Sequence, residues 1–136
     1  MLDIIKLKTE EGCSLVNITD QAQTIVQRGG VQEGICVVFV THTTGAITLN
    51  SYLDPNTPKD IVNDLDRIVP TRVDFFHQND TPTDASAHIK TTLVGNSLTL
   101  IVTGGKLLLG HSQFIMFCEF DGPRERSVHV KVTRDA

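Results

Sequence analysis

The segment that most constrains the fold is residues 35–41, ICVVFVT, which are almost entirely apolar and β-branched. A short uninterrupted run of this composition is typical of a strand that is covered on both faces. We therefore expect residues 35–41 to form a central, fully buried strand of a β-sheet.

The rest of the chain alternates short strand patterns with three helix patterns. Strands are predicted at 3–9, 13–18, 46–52, 97–103, 106–109, 113–120 and along the alternating valines near the C-terminus, with the first two paired as a hairpin across Glu11-Gly12. Helices are predicted from Thr19 to the Gly29-Gly30 stop, from Pro58 to Ile68, and from Asp84 to Leu93. This mixed order predicts one α+β domain over residues 1–136.

Charge and hydropathy exclude two classes of protein. The net charge is −4, so the chain lacks the basic surface that non-specific nucleic-acid binding requires. No segment approaches the roughly 18 consecutive apolar residues of a membrane span. The N-terminal segment MLDIIKLKTEEG has an acid at position 3 and no small-residue cleavage site, so we do not expect a signal peptide and do expect a cytoplasmic protein.

The three cysteines are too few and too widely spaced to form a disulfide framework or a zinc ribbon. Cys36 and Cys118 lie inside apolar runs, and we expect them to act as small buried hydrophobic residues.

The first candidate site residue is His42, which follows the predicted central strand and precedes Thr43, Thr44 and Gly45. Ligand sites often lie at the ends of such strands. An imidazole beside hydroxyl groups offers a metal ligand or a general base together with hydrogen-bond donors. The alternative is a strand end whose threonines only complete local hydrogen bonds.

Two further histidines complete a possible centre. His77 lies in the polar segment 71–83, a length of loop that is often functional, although a histidine there can also be simply solvated. His88 follows Asp84 by four residues on the third predicted helix, so the two share a face as a catalytic pair or an ordinary surface pair. Three histidines from separate elements match an open catalytic metal site, and we expect His42, His77 and His88 to converge on a divalent ion, zinc or magnesium.

Other polar residues could contact a substrate at the same place. Lys90 lies near the edge of the helix that carries His88, and His111 begins the last apolar strand. Arg124 and Arg126 follow a turn and could hold a phosphate group, or could form a salt-bridged turn or a subunit contact. The Gly104-Gly105-Lys106 segment is better explained as a hairpin turn than as a phosphate loop.

An ordered set of short segments resembles the YjbQ-like family, often named secondary thiamine-phosphate synthases. The set comprises HTTG at 42–45 with Asn50, DP at 54–55, AHIK at 87–90, LVGNSL at 93–98, LG at 109–110 with Gln113, and CEFDGPR at 118–124. The resemblance covers residues 3 to 133. The chain departs from the usual family pattern at Ser51, at 84–86 and at His111-Ser112.

The resemblance implies a compact α+β domain of mixed, largely antiparallel sheets forming a sandwich or barrel-like core, associated as a homotrimer. It also implies an enzyme that joins hydroxymethylpyrimidine diphosphate to a thiazole phosphate and releases diphosphate. The resemblance, together with the motifs above, gives His42, His88 and Lys90 as catalytic residues. The expected substrate-binding residues are Thr44, Asn50, Asp84, His111, Gln113 and Arg124.

Three hypotheses for the function remain open on the sequence. The first is this transferase, acting on small phosphorylated substrates. The second is a metal- or small-anion-binding trimer that uses the same residues without efficient turnover. The third is a structural role in which the polar cluster stabilises the trimer.

Overall fold

A computed structural model of the chain describes residues 2–78 and 83–136. These residues form eight strands and three helices. The strands are β1 (Leu2–Lys8), β2 (Gly12–Asn17), β3 (Gly34–Val40), β4 (Gly45–Asn50), β5 (Ser97–Thr103), β6 (Lys106–Leu107), β7 (Phe114–Gly122) and β8 (Glu125–Arg134). The helices are α1 (Thr19–Gly29), α2 (Asn56–Ile68) and α3 (Asp84–Val94). The predicted loop at 71–83 is described only in part, because residues 79–82 lie outside the described residues.

The strands form two antiparallel sheets, which confirms the predicted α+β fold. One sheet has five strands in the order β1-β8-β3-β5-β6, and the other has three in the order β2-β7-β4. All the strand pairs formed by the described residues are antiparallel. The predicted β1–β2 hairpin is wrong: β1 pairs with β8 and β2 with β7, so the turn after β1 carries the chain from one sheet to the other.

The main core lies between the two sheets and is closed by α1. Val38 and Val130 from the large sheet and Ile47 and Phe117 from the small sheet share one apolar cluster with Val26 of α1. The α1 helix ends as the sequence predicts, with Gly30 in the left-handed conformation at φ 67°. No helix among the described residues is both long and apolar enough to cross a membrane.

A second, smaller cluster lies on the opposite face of the small sheet, where α2 and α3 pack. Ala87 of α3 contacts this cluster together with Ala46, Cys118 and Phe120, all almost fully buried. The small sheet is therefore covered on both sides, by the large sheet on one and by helices on the other. This packing fixes α3, which carries Asp84 and His88, against the middle of the molecule.

The strand that is buried on both faces is β7, not β3 as the sequence predicts. β3 lies centrally in its sheet, but its burial alternates, and Ile35 and Phe39 are 46% and 41% exposed. β7 is buried at every position from Ile115 to Asp121. The prediction fails because composition reports apolarity and not which layer covers each face.

Candidate functional site

His77, Asp84 and His88 form a compact group in which one ligand atom from each residue lies within 4.8 Å of the others. Asp84 Oδ2 is 2.5 Å from Nε2 of His77 and 3.1 Å from Nε2 of His88. The two imidazole rings are 5.4 Å apart between centroids and nearly perpendicular. One carboxylate oxygen thus bridges two imidazoles that come from different segments.

The helix α3 and the segment before it explain how these residues meet. Asp84 and His88 are separated by one helical turn, so their side chains lie on the same face. His77 approaches from the segment after α2. The Asp84 side chain is 6% exposed, whereas those of His77 and His88 are 44% and 42% exposed. The carboxylate is therefore buried at the base of the group, and the two imidazoles form its solvent-exposed side.

His42 lies outside this group but shares a pocket with His88. The pocket has a volume of about 360 Å³ and is lined by His42, Thr43, His88, Thr91, Thr92, Gly95 and Asn96. The backbone N–H of Ser127 donates to Nε2 of His42 over 2.9 Å. Burial and the nearby Arg126 guanidinium lower the pKa of His42 below its ordinary value, which favours the neutral ring.

Arg126 belongs to a buried ion pair behind His42. Its guanidinium donates to Glu119 at 2.8 and 2.5 Å, and it also donates to the carbonyl and hydroxyl oxygens of Thr44. Burial alone raises the pKa of Glu119, but hydrogen bonds from Arg126 and Thr9 outweigh it and hold that pKa below its usual value. Arg126 therefore forms a salt bridge, one of the alternatives to phosphate binding that the sequence leaves open. Thr44 helps to fix the start of β4.

Lys90 faces away from the histidine group, although it lies two residues after His88. Its side chain is 3% exposed and forms an ion pair with Asp66 of α2. Its Nζ also lies 3.7 Å from Sγ of Cys13 and 5.8 Å from the centroid of the Phe120 ring. A step of two residues turns a helix by more than half a revolution, so Lys90 points away from His88 and links α3 to α2 through this ion pair.

The structure places the other predicted substrate-binding residues elsewhere. Asn50 ends β4, exposed, with Oδ1 accepting from the Ser51 backbone. Gln113 Oε1 accepts from the Gly110 backbone and closes the turn in which His111 lies exposed. Arg124 binds the carboxylate of Asp121 at 2.7 Å. Of the predicted residues, the structure thus brings His77, Asp84 and His88 together, with His42 across the adjacent pocket.

Sequence reasoning missed the polar residues that line this pocket beside the histidines. Thr91 and Thr92 lie on α3, and Asn96 lies in the turn before β5. Thr91 follows His88 by three residues, and this helical spacing is the signal that could have identified it. The expectation for Cys36 and Cys118 is met, since both are buried, and burial raises their pKa to about 11 and about 12.

Comparison with known proteins identifies the family. Residues 3–135 match the family described as "UPF0047 protein YjbQ-like". The chain belongs to the UPF0047 YjbQ-like family. The UPF0047 protein of Methanocaldococcus jannaschii is 42% identical, with 99% of this chain and 96% of that protein covered. YugU of Bacillus subtilis is 35% identical, with 97% and 98% covered.

Solved structures of the YjbQ-like family have the same fold. A YbjQ-like protein of unknown function from Sulfolobus solfataricus superposes with a TM-score of 0.93 at 33% identity, covering 99% of this chain and 97% of that one. A YjbQ/UPF0047 protein from Clostridium acetobutylicum gives a TM-score of 0.90 at 40% identity, covering 96% and 99%. The names of these relatives state no reaction, so they give no support to thiamine-phosphate synthesis.

Proposed function

We propose that this protein binds one divalent transition-metal ion through His77, Asp84 and His88, and uses it to activate a small-molecule substrate. The observation that carries the proposal is the convergence of two imidazole nitrogens and one carboxylate oxygen within 4.8 Å. Three such ligands leave one position of a tetrahedral ion free for water or substrate, which is the arrangement of catalytic zinc sites. Asp84 takes the place in the ligand set that the sequence had suggested for His42.

The chemistry of the ligands favours zinc over magnesium. Magnesium prefers oxygen ligands in an octahedron, whereas imidazole suits zinc and its neighbours. The exposed imidazoles leave the open side of the group accessible from solvent. A zinc ion held there would supply a Lewis acid and could lower the pKa of a bound water.

The metal proposal is tested by zinc titration of protein purified without a histidine tag. We expect one zinc ion per chain by elemental analysis and calorimetry. Asp84→Asn, His77→Ala and His88→Ala should each weaken zinc binding by at least tenfold, because each removes or neutralises one of only three ligands.

His111→Ala is the matched control, since His111 is exposed in a turn outside the group. Its zinc affinity should equal that of the wild-type chain. Equal affinity in all four variants would mean that zinc binds elsewhere, and the proposal would fail.

For the reaction itself, the family resemblance suggests the transfer of a pyrimidine methylene from diphosphate to a thiazole nitrogen. A metal held by His77, Asp84 and His88 would support this candidate, because it would supply positive charge to stabilise the departing diphosphate. The assay combines zinc-loaded protein with hydroxymethylpyrimidine diphosphate and thiazole phosphate. Product formation that His88→Ala abolishes would support the transferase. No turnover above that variant would favour the alternative, a metal- or small-anion-binding protein without efficient turnover.

We also propose that the chain self-associates, as a homotrimer, through the outer face of the large sheet. The exposed apolar side chains Leu2, Ile4, Ile35, Phe39 and Ile101 lie on this outer face, together with His129 and Lys131 of β8. Ile35 lies opposite Ile101, whereas Ile4 and Phe39 lie on either side of His129. Exposed apolar side chains concentrated on one face are typical of a protein–protein interface.

A cytoplasmic location is the last part of the proposal. All three cysteines are free thiols, and two of them are buried. Free thiols are usual in a reducing compartment.

A further inference from the structure

Among the described residues, those that line the pocket beside the proposed metal centre include no lysine, arginine, aspartate or glutamate. The pocket is bounded by His42 and Thr43 after β3, by His88, Thr91 and Thr92 on α3, and by the turn at Gly95-Asn96. The two buried cations nearby form ion pairs with other residues: Lys90 pairs with Asp66, and Arg126 pairs with Glu119. An anionic group that entered this pocket beyond reach of the ion would lose its hydration without gaining a counter-charge from a lysine or arginine of the lining.

His42 is held as a hydrogen-bond donor toward its surroundings. Its Nε2 lone pair accepts the Ser127 N–H, so the proton of the neutral ring must lie on Nδ1. The ring is fixed edge-on against Phe117, with centroids 6.5 Å apart. Within residues 2–78 and 83–136, no acceptor is found for this Nδ1–H. Because one nitrogen carries the proton and the other is occupied, the neutral His42 has no lone pair left for a metal.

Thr91 provides a second sign of a ligand. Its hydroxyl oxygen is buried and has no hydrogen-bond partner in the part of the chain that the structure describes. A buried hydroxyl without a partner is costly, so such groups usually have one when the protein is complete with its ligand or water. Thr91 and His42 line the same pocket.

We propose that this pocket is a subsite for an uncharged hydrogen-bond acceptor of the substrate, a hydroxyl, a carbonyl or a heterocyclic ring nitrogen, with His42 Nδ1–H and the Thr91 hydroxyl as its recognition groups. The inference rests on the proposed metal centre, because His88 belongs to both and joins the subsite to the ion. The metal takes the anionic or coordinating part of the substrate, and the pocket takes the neutral part. His42 is then a specificity-determining residue and not a metal ligand.

The test uses zinc-loaded protein and three hydroxamates that bind zinc through the same group. Acetohydroxamate occupies the metal alone, glycolohydroxamate adds one hydroxyl, and phosphonoacetohydroxamate adds an anionic phosphonate. We expect glycolohydroxamate to bind about three- to tenfold more tightly than acetohydroxamate, the gain of one or two neutral hydrogen bonds. The phosphonate should give no gain.

Variants test whether His42 and Thr91 cause the tighter binding of glycolohydroxamate. His42→Phe and Thr91→Val should each remove this gain in affinity over acetohydroxamate while leaving zinc affinity unchanged. His42→Asn should retain part of it, because the Asn amide N–H can replace the Nδ1–H. Nitrogen-15 NMR of the metal-free protein should show the Nδ1–H tautomer of His42, and added zinc should leave both its nitrogens uncoordinated.

Each contrary result is decisive. A larger gain from phosphonate than from hydroxyl would show an anion site, and an equal hydroxyl gain in His42→Phe and Thr91→Val would remove these residues from the subsite. An Nε2–H tautomer, or zinc on His42, would overturn the role given to this ring. If zinc binds and the hydroxyl gain is absent, only this inference fails; if zinc does not bind, the proposed function fails and the subsite with it.

Discussion

At the scale of single residues, the Glu119–Arg126 ion pair holds the end of β3 and the start of β4 in position. Both side chains are almost fully buried, and Arg126 also donates two hydrogen bonds to Thr44. The Thr9 hydroxyl also donates to Oε1 of Glu119 over 2.6 Å. Since Thr44 follows His42 by two residues, this buried network supports the wall of the pocket and not its chemistry.

Removing the charge of Glu119 should therefore destabilise the fold. In Glu119→Gln, Arg126 remains buried with no carboxylate partner, and we expect the free energy of unfolding to fall by about 3–5 kcal/mol. Urea denaturation measures it. Glu125→Gln, on the exposed start of β8, is the control and should change stability by less than about 0.5 kcal/mol. Equal stability of the two variants would show that the ion pair does not support the fold.

At the scale of elements, α3 connects the apolar core to the histidine group. Its inner face buries Ala87 against Ala46, Cys118 and Phe120. The same helix presents Asp84 and His88 to His77, one turn apart. Small side chains at this contact let α3 lie close to the small sheet, so the position of the site depends on the size of residue 87.

A larger residue at position 87 should disturb both stability and zinc binding. Ala87→Leu adds three carbon atoms to a fully buried position, and overpacking of this kind costs about 1–3 kcal/mol. The displaced helix should also weaken zinc binding several-fold, because metal–ligand distances tolerate only about 0.2 Å. Urea denaturation and zinc calorimetry provide the two measurements.

Leu93→Ala is the matched control on the same helix, since Leu93 is 58% exposed. It should leave zinc affinity unchanged. If Ala87→Leu loses stability but keeps full zinc affinity, the centre does not depend on the packing of α3.

At the scale of the whole molecule, the two faces of the large sheet differ in what covers them. The inner face packs on the small sheet and α1, whereas the outer face leaves Ile35 and Phe39 of β3 exposed within one chain. The apolar run that predicts a strand covered on both sides is thus covered on one side by the chain itself. A second copy of the chain on the outer face would cover the other side of β3.

Phe39→Lys should convert the proposed trimer to a monomer, because it replaces an exposed aromatic side chain of the outer face with a charge. Size-exclusion chromatography with light scattering gives the mass directly. Ile68→Lys is the control, since Ile68 is 68% exposed on α2, away from the outer face, and its mass should match the wild-type chain. A wild-type monomer, or a Phe39→Lys variant of unchanged mass, would contradict the proposal.

Local sequence patterns are enough to predict most helices and strands and one part of the site. Periodicity and turn residues predict β5 at its observed limits, α1 and its left-handed end at Gly30, and the start of α3 at Asp84. The spacing of four residues places Asp84 and His88 on one face, because a helix turn is a local property of the backbone.

The partners of these elements follow from the fold and not from local patterns. His77 lies against Asp84, Lys90 pairs with Asp66, and the Ser127 N–H donates to Nε2 of His42. In addition, β1 and β2 lie in different sheets, and β7 instead of β3 is buried on both faces. These outcomes depend on tertiary contacts, most of them between residues distant in sequence, and periodicity carries no information on which partner covers a given face.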